Sequence, residues 1–517
     1  MQLDYVYLGY SPHSSPLLSG FKMLALQDEE VEIVMRFWPY NSNNYGCDGF
    51  FSYRIPYDVG TSACGGTQPW CAYGNHGANT LTLTLNAQSF RVWPNGAPPV
   101  PPPPPPPPLY NIQLGADIDG EAAGDHSGYS VSLSSDGSRV AIGAYWNDGN
   151  GAMSGHVRVY EYTAGTGSWT QLGADIDGEA ADDYSGISVS LSSDGSRVAI
   201  GASANDGNGD KSGHVRVYEY TAGTGSWTQL GADIDGEAAD NSSGSSVSLS
   251  SDGSRVAIGA PRNDGNGAES GHVRVYEYTS GAGSWTQLGA DIDGEAADDR
   301  SGVSVSLSSD GSRVAIGAQQ NAGNGSGSGH VRVYEYTAGA GSWTQLGADI
   351  DGEAAYDGSG TSVSLSSDGS RVAIGASAND GNGSGSGHVR VYEYSAGTGS
   401  WTQLGADIDG EAASDQSGIS VSLSSDGSRV AIGANQNAGN GSGSGHVRVY
   451  EYNAGTGSWT QLGADIDGEA AGDHSGVSVS LSSDGSRVAI GALMPTFIAD
   501  NGDKSGHVRV YSVGVLA

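Results

Sequence analysis

The 517-residue chain is poor in cations and cysteines and has no long apolar run. It carries 22 Lys+Arg against 58 Asp+Glu, a formal net charge of −36, and its only lysines are Lys22, Lys211 and Lys504. Nucleic acids and anionic membranes are bound by basic surfaces, so this charge argues against both as partners. A transmembrane helix needs a run of about 18 apolar residues, and the sequence contains no such run, so no membrane anchor is expected. The residues after Met1 lack the basic and apolar regions of a signal peptide.

The three cysteines, Cys47, Cys64 and Cys71, all flank a glycine-rich stretch near the beginning of the chain. In an oxidising compartment one disulfide is expected among them, which leaves one thiol over, and the pairing stays open. The alternative is a zinc site in which the three thiolates are joined by His76.

Residues 1–97 differ in composition from the rest and hold five of the six phenylalanines. Four segments of strand-like residues are separated there by Gly, Asn and Pro turns, which predicts a small β-sandwich of jelly-roll type. Residues 98–110 contain ten prolines and predict a stiff polyproline II linker, in which the eleven residues 98–108 form a rod of roughly 34 Å at about 3.1 Å per residue. Pro101, Pro104 and Pro108 are candidate partner contacts on this rod; the alternatives are a simple spacer and a PxxP ligand for an aromatic groove.

The remainder of the chain is a repeat. The motif Q-L-G-A-D-I-D-G-E-A-A begins at Gln113 and returns six times at steps of 58 residues, which makes seven copies. Each copy has four short strand-like segments, and the first two are joined by Asp-Gly, a tight-hairpin signal. Four antiparallel strands at such a period describe a propeller blade, so the sequence predicts an all-β, seven-bladed β-propeller over residues 111–517.

The two ends of the repeat region complement each other. The seventh copy stops after its third strand, near Tyr511, whereas an isolated fourth strand, Asn111–Leu114, precedes the first copy. We expect these strands to pair, which would close the ring and leave no open sheet edge.

The segment S-G-x-S-V-S-L-S-S-D-G-S-R-V-A-I-G-A, followed by S-G-H-V-R-V-Y, resembles the FG-GAP repeats of integrin-α-type propellers. The resemblance covers residues 111–517 and implies a propeller typical of extracellular and cell-surface proteins. The phenylalanine of the family name is replaced by Ser, for example Ser127. The family's calcium loop is replaced by the short turn Ser134–Gly137, so its calcium sites do not carry over to that turn.

The negative charge concentrates in the loop between the fourth strand of one copy and the first strand of the next. Carboxylates recur there at relative positions 1, 3, 5 and 9, a spacing by which oxygen ligands wrap calcium. The alternative is that these side chains cap turns and bind backbone amides. The candidate calcium ligands of the first two loops are Asp117, Asp119, Glu121, Asp125, Asp175, Asp177, Glu179 and Asp183.

In an antiparallel meander the loops after strands two and four emerge on one face, and the turns after strands one and three on the other. The turns repeat almost unchanged, whereas the loop after strand two varies between copies and is longest in the seventh. Variation marks the face where a specific function could reside. The candidate apolar partner site at the junction of copies seven and one comprises Tyr145, Trp146, Met153, Leu493, Met494, Phe497 and Ile498. Alternatively, the longer loop only covers the junction.

Other conspicuous residues recur in every copy and are expected to be structural. Seven histidines share one repeated position, as His156 does, and cannot converge on one ion, so we interpret them as hydrogen-bonding groups at strand ends. The glycosylation sequons begin at Asn241, Asn324, Asn382 and Asn440 and matter only in a secreted chain.

These observations lead to two functional hypotheses. The first is a non-enzymatic extracellular structural protein in which the front domain and proline rod dock on the propeller of the next copy, giving a fibre or surface array. The second is a calcium-dependent adhesion module that binds glycans or cell-surface proteins through its variable loops. A hydrolase acting near the propeller axis is the least favoured, because no unique acid–base constellation is present.

Overall fold

The computed structural model describes residues 109–493 and 505–516 continuously and seven strands before them. The chain divides into two compact units, Met1–Pro106 and Pro107–Ala517. Candidate residues Cys47, Cys64, His76, Pro101, Pro104, Pro108, Met494, Phe497 and Ile498 lie outside the described residues. Among the residues that are described, no helix has the length and apolar character needed to cross a membrane.

The first unit contains two antiparallel sheets whose strands follow one another in chain order. Cys71 lies in the second sheet, where it is paired in register with Thr84. The β-sandwich and jelly-roll interpretations of this unit stay predictions. The first sheet comprises Gln2–Val6, Leu17–Ala25, Glu30–Trp38 and Phe50–Pro56, and the second comprises Trp70–Gly74, Leu81–Leu85 and Gln88–Val92.

The second unit confirms the predicted seven-bladed propeller, with one sheet per copy and four main strands in chain order from the axis outwards. The first strands are Ser127–Leu133, Ser185–Leu191, Ser246–Leu249, Ser304–Leu307, Ser359–Leu365, Ser420–Leu423 and Ser478–Leu481. The second strands are Arg139–Ala144, Arg197–Ala202, Arg255–Ala260, Arg313–Ala318, Arg371–Ala376, Arg429–Ala434 and Arg487–Ala492. The third strands are His156–Thr163, His214–Thr221, His272–Thr279, His330–Thr337, His388–Ser395, His446–Asn453 and His507–Leu516.

The fourth strands complete the sheets and close the ring as predicted. In blades one to six they are Ser168–Gln171, Ser226–Gln229, Ser284–Gln287, Ser342–Gln345, Ser400–Gln403 and Ser458–Gln461. In blade seven the fourth strand is Leu109–Gln113, which pairs antiparallel with the third strand through Tyr511↔Gln113 and Leu516↔Leu109. The ring is therefore closed by strands from opposite ends of the repeat region.

The acidic segment is not a loop throughout, which the sequence did not reveal. Its Ile-Asp dipeptide forms a two-residue strand that continues the outer edge of the blade and pairs with the start of the third strand, for example His156↔Asp177. The isoleucine is buried and anchors the segment. These short strands are Ile118–Asp119 in blade seven and Ile176–Asp177, Ile234–Asp235, Ile292–Asp293, Ile350–Asp351, Ile408–Asp409 and Ile466–Asp467 in blades one to six.

The hydrophobic core lies between neighbouring blades. One cluster joins Val157 and Val159 of blade one to Leu191, Val198 and Ile200 of blade two, and the same cluster recurs around the ring. The seventh cluster unites blade seven with blade one. Burying aliphatic side chains in this way stabilises each blade only in the presence of both neighbours.

Close backbone contact between blades requires glycine in the second strand. A Cβ at Gly143 would collide with the carbonyl oxygen of Gly186 in the next blade. On the turn face, Ser135 N–H donates to the carbonyl of Ser193 at 2.7 Å, and the equivalent serines continue this pattern until Ser483 donates back to Ser135 at 2.8 Å. Seven backbone hydrogen bonds thus form a closed circle at this end of the axis.

Candidate binding site at the variable face

The acidic segments and the loops after the second strands lie together on one face, as the meander predicts. Asp182 N–H donates to the carbonyl of Ala152 at 2.8 Å, and the Asn150 side-chain amide donates to the carbonyl of Gly178 at 2.9 Å. Each variable loop is therefore held by the acidic segment that follows its own blade.

Five positions at which the copies differ lie at the centre of this face. Two of them flank the Ser-Gly that begins the first strand, two directly follow the Gly-Ala that ends the second strand, and one precedes the Ser-Gly before the third strand. The residue before the first Ser-Gly has a left-handed backbone in every blade: φ is 56° at His126, 59° at Tyr184, 54° at Arg300 and 65° at Gly358. This conformation is unfavourable for residues other than glycine. Non-glycine residues that nevertheless adopt it are found preferentially at functional sites.

A cavity of 430 Å³ opens on this face between blades one and four. Every residue that lines it occupies one of the five variable positions, whereas no invariant residue of the repeat contributes. Ligand sites commonly have this volume. The lining residues are Tyr129, Tyr184, Ile187, Ser203, Ala204, Lys211, Ser242, Ser245, Pro261, Arg262, Arg300, Val303 and Gln319.

The cavity also collects the unusual cations of the propeller. Two arginines recur in each blade, and the only other cations of residues 111–517 are Lys211, Arg262, Arg300 and Lys504. The first three line the cavity. Arg300 donates from Nε and Nη2 to Glu269 at 3.0 and 2.8 Å, whereas no salt bridge within the described residues involves Lys211 or Arg262. A chain of strongly negative charge therefore presents positive groups at one place.

Aromatic side chains adjoin the cavity at blades one and two. Tyr145 lies 4.5 Å from Tyr129 and 5.9 Å from Tyr184 between ring centroids, and it shares a 3.2 Å hydrogen bond with His126. Trp146 stacks on His126 at 4.1 Å and remains 39% exposed. Burial, followed by the neighbouring Tyr129 and Tyr184, raises the pKa of Tyr145 to about 12, so its hydroxyl stays protonated.

The candidate partner residues are only partly brought together. Tyr145 and Trp146 belong to this aromatic cluster, and half-buried Met153 accepts a backbone hydrogen bond from Tyr184. Leu493 is half-buried at the end of the described part of blade seven. The apolar junction site with the longer loop stays a prediction.

The four carboxylates of one acidic segment have separate partners. The Asp117 carboxylate accepts from Gln113 and lies beside His507, Glu121 lies 3.6 Å from Arg158, and buried Asp125 accepts from Asn147 at 3.0 Å. Asp119 offers its backbone carbonyl to Arg158. Asp175, Glu179 and Asp183 repeat these contacts, and Asp177 is the equivalent of Asp119. The calcium interpretation of the acidic segments stays a prediction. The carboxylate at relative position 9, as in Asp125, accepts hydrogen bonds from a backbone N–H and a side-chain amide, which are contacts of the kind that the turn-capping alternative describes.

The repeated histidines form clusters that the sequence did not suggest. Nδ1 of His156 lies 3.9 Å from Glu121 and 3.8 Å from Asp175, which come from two successive acidic segments. The same three-residue cluster recurs in the other blades. The interpretation as strand-end hydrogen-bonding groups is not supported, because these distances exceed hydrogen-bond length. Burial, followed by the charge of Arg158, lowers the pKa of His156.

The sequons differ in accessibility. Asn324, Asn382 and Asn440 are exposed, although each side-chain amide donates 2.8 Å to the carbonyl of the next acidic segment. Asn241 is only 5% exposed and replaces the buried Asp of the other segments, so its amide is inaccessible in the folded chain.

Sequence reasoning missed Tyr129, Tyr184, Lys211 and Arg300 as members of one site. Aligning the seven copies column by column would have identified their positions as variable. Separating the four unrepeated cations from the repeated arginines would have given a second signal. Their convergence depends on the curvature of the ring, which periodicity alone does not give.

The comparisons agree with the architecture. Residues 118–160 match the family model described as the FG-GAP repeat. The chain is a seven-bladed β-propeller built from FG-GAP-type repeats, since the other copies share the sequence of the matched segment. No protein of curated function matches the chain in sequence.

Three solved structures are similar to this chain at low identity. Hydrazine synthase of Kuenenia stuttgartiensis is 14% identical with a TM-score of 0.47, and the match covers 74% of this chain and 94% of that one. A putative 6-phosphogluconolactonase of Bacteroides uniformis is 12% identical with a TM-score of 0.47, covering 77% and 94%. One from Bacteroides fragilis is 11% identical with a TM-score of 0.44, covering 77% and 93%.

Proposed function

We propose that this protein is a non-enzymatic extracellular binding module that recognises acidic glycans at the variable face of its propeller. The observation that carries the proposal is that the cavity is lined entirely by residues from positions that vary between otherwise repeated blades. A scaffold needs repetition, and a ligand of defined shape needs the departures from it.

The chemistry of the cavity favours a carboxylated or sulfated sugar. Lys211 and Arg262 supply positive charge without a salt-bridge partner among the described residues, and Arg is well suited to carboxylate and sulfate groups. Ser242, Ser245 and Gln319 offer hydrogen bonds to hydroxyl groups, while Tyr129 and Tyr184 offer flat apolar surface. The net charge of −36 repels polyanions from the rest of the surface, so we expect them to bind only at the opening of this cavity.

Binding to immobilised carboxylated, sulfated and neutral oligosaccharides tests this proposal. We expect the acidic sugars to bind and the neutral ones not to bind. The double variant Lys211→Gln/Arg262→Gln should lose at least about tenfold in affinity, because each charged hydrogen bond contributes about 1.5–3 kcal/mol. The matched control is Arg313→Gln, which removes a repeated arginine on the turn face.

Equal binding of neutral and acidic sugars, or equal loss in both variants, would contradict the proposal. Carboxylated and sulfated ligands compared at the same charge distinguish the two acidic groups. Repeating the assay with chelator and with added calcium tests the calcium dependence expected from the sequence.

Assembly into a fibre or surface array is the second candidate. The observation that favours it is that the chain enters blade seven at Leu109, beside Leu516, on the turn face and opposite the variable face. A front unit that precedes this strand in the chain, together with a binding surface on the variable face, could join copies head to tail. Negative-stain images that show only monomers at high concentration, with and without calcium, would contradict this candidate.

A further inference from the structure

The His–Glu–Asp clusters at the starts of the third strands have no role in the proposed binding site. In blade six the cluster comprises His446, Glu411 and Asp465, and the histidine side chain is 1% exposed. Its Nδ1 lies 3.9 Å from Glu411 Oε2 and 3.9 Å from Asp465 Oδ2. Neither ring nitrogen of His446 has a hydrogen-bond partner. A buried, unpartnered nitrogen is costly, and here it faces two carboxylate oxygens.

In both carboxylates, the oxygen that does not face His446 contacts another side chain. Gln461 Nε2 donates to Asp465 Oδ1 at 2.6 Å, and Arg448 Nη1 lies 3.8 Å from Glu411 Oε1. Each carboxylate therefore uses one oxygen for an orienting contact and directs the other towards the histidine. Orienting contacts of this kind support the ligands of metal sites.

The arrangement recurs around the ring. In blade one, Gln171 holds Asp175 Oδ1 while Oδ2 faces His156 at 3.8 Å, and Arg158 faces Glu121 Oε1 while Oε2 faces His156 at 3.9 Å. In blade seven the corresponding group comprises His507, Glu469 and Asp117, and Asp117 belongs to the acidic segment that follows the closing strand Leu109–Gln113.

We infer that each blade binds one divalent transition-metal ion, with Zn²⁺ as the reference ion, between the histidine Nδ1 and one oxygen of each carboxylate. Zn²⁺ is bound at about 2.0–2.2 Å by such atoms, so two ligands of a tetrahedral ion lie about 3.4 Å apart. Each carboxylate oxygen, at 3.9 Å from Nδ1, needs to approach that nitrogen by only about 0.5 Å. Water would complete the coordination, since the glutamate is 46% exposed.

The charges and the nitrogen ligand also favour this ion class. Glu411, Asp465 and Arg448 leave one net negative charge beside a neutral histidine, which a divalent cation would offset. Calcium and magnesium prefer oxygen ligands, whereas an imidazole nitrogen selects zinc and its transition-metal neighbours.

The test uses the full-length chain after removal of metals with a chelator. Equilibrium dialysis with Zn²⁺ should give a stoichiometry approaching seven ions per chain. Replacing the cluster glutamate by Gln in all blades, as in Glu411→Gln, should reduce binding at these sites at least tenfold. The matched control replaces the glutamate of the third strand, as in Glu451→Gln, which is equally exposed at 46% and pairs with Arg429 on the turn face. That control should retain every ion.

Co²⁺ absorption of the unmodified chain provides a second readout, which does not depend on how the variants fold. Visible bands that grow with added Co²⁺ and disappear with Zn²⁺ would support nitrogen and oxygen ligation. Absence of Zn²⁺ binding and of Co²⁺ bands would overturn the inference. Zn²⁺ binding that survives the cluster variant, or binding of Ca²⁺ alone, would overturn it equally.

Discussion

The two faces of the propeller are made from the same repeats and yet differ in almost every respect. On the turn face the Ser-Asp-Gly-Ser hairpins are identical, and a circle of backbone hydrogen bonds connects them. On the variable face, neighbouring blades present Tyr184, Ser242 and Arg300 at one equivalent backbone position. The comparison shows that the copies differ in sequence where their side chains project from the blade at the variable face, and not where neighbouring blades contact each other. Substitutions on each face test that division.

The largest effect is expected where neighbouring blades touch through their backbones. A Cβ at Gly317 would collide with the carbonyl oxygen of Gly360, so Gly317→Ala should lower the free energy of unfolding by about 4 kcal/mol. Denaturation in urea measures this change. Gly339→Ala in the same blade is the control, because no atom lies within 4 Å of its Cβ, and it should change stability little. Equal effects of the two substitutions would contradict this account of blade contact.

The histidines at the edge of the variable face should make stability depend on pH. Burial, followed by the charge of Arg274, lowers the pKa of His272 to about 4 from 6.5. The unfolded chain therefore binds this proton at a higher pH than the folded chain, and stability is lost as pH falls from about 6.5 towards 4. The expected loss for this residue is about 2 kcal/mol between pH 7 and pH 5, out of about 3 kcal/mol once the pH is well below 4. Urea denaturation at pH 7 and pH 5 with chelator measures it.

His272→Gln should reduce that loss, because Gln has no proton to bind in this range. The substitution Gln416→Gly leaves the cluster unchanged and serves as the control for the pH dependence. A pH profile that is the same for His272→Gln and the unmodified chain would show that this histidine is not responsible.

A smaller effect of opposite sign is expected at the variable positions. Gln416 has φ of 56°, a conformation that costs a non-glycine residue about 1–2 kcal/mol, so Gln416→Gly should gain about 0.5–1 kcal/mol after the entropy cost of glycine. The reciprocal change on the turn face, Gly341→Ala at φ of 64°, where an added Cβ meets no atom within 4 Å, should lose about 1 kcal/mol. A loss of stability in Gln416→Gly would show that this side chain supports the framework.

The smallest effect is expected for the repeated ion pairs of the turn face. Arg313 and Glu335 are 2.8 Å apart with side chains 21% and 43% exposed, so Glu335→Gln should change stability by less than about 0.5 kcal/mol. Thermal unfolding at low and high salt measures this change. Glu335→Asp is the control for the loss of charge. A large change would mean that charge pairs, rather than backbone contacts, hold this face together.

The sequence predicted the framework far better than the sites. A 58-residue period and a missing fourth strand were sufficient for the blade count and for closure by Leu109–Gln113. The Ile118–Asp119 strand escaped detection, because two residues are too few for an alternating pattern. The cavity and the His446 cluster escaped because each joins residues from separate loops or successive repeats, and only the turn from blade to blade brings them together.

Closure by the first and last strands has a mechanical consequence. Leu109 and Leu516 are register partners, so the start of the closing strand and the end of the third strand lie side by side on the turn face. If force were applied between these two ends, it would open the pair from Leu109 towards Gln113 one hydrogen bond at a time, as a zip opens. If force were applied between Leu109 and a ligand held at the variable face, it would act along the closing strand and load its hydrogen bonds together. The same strand would yield readily to the first pull and resist the second.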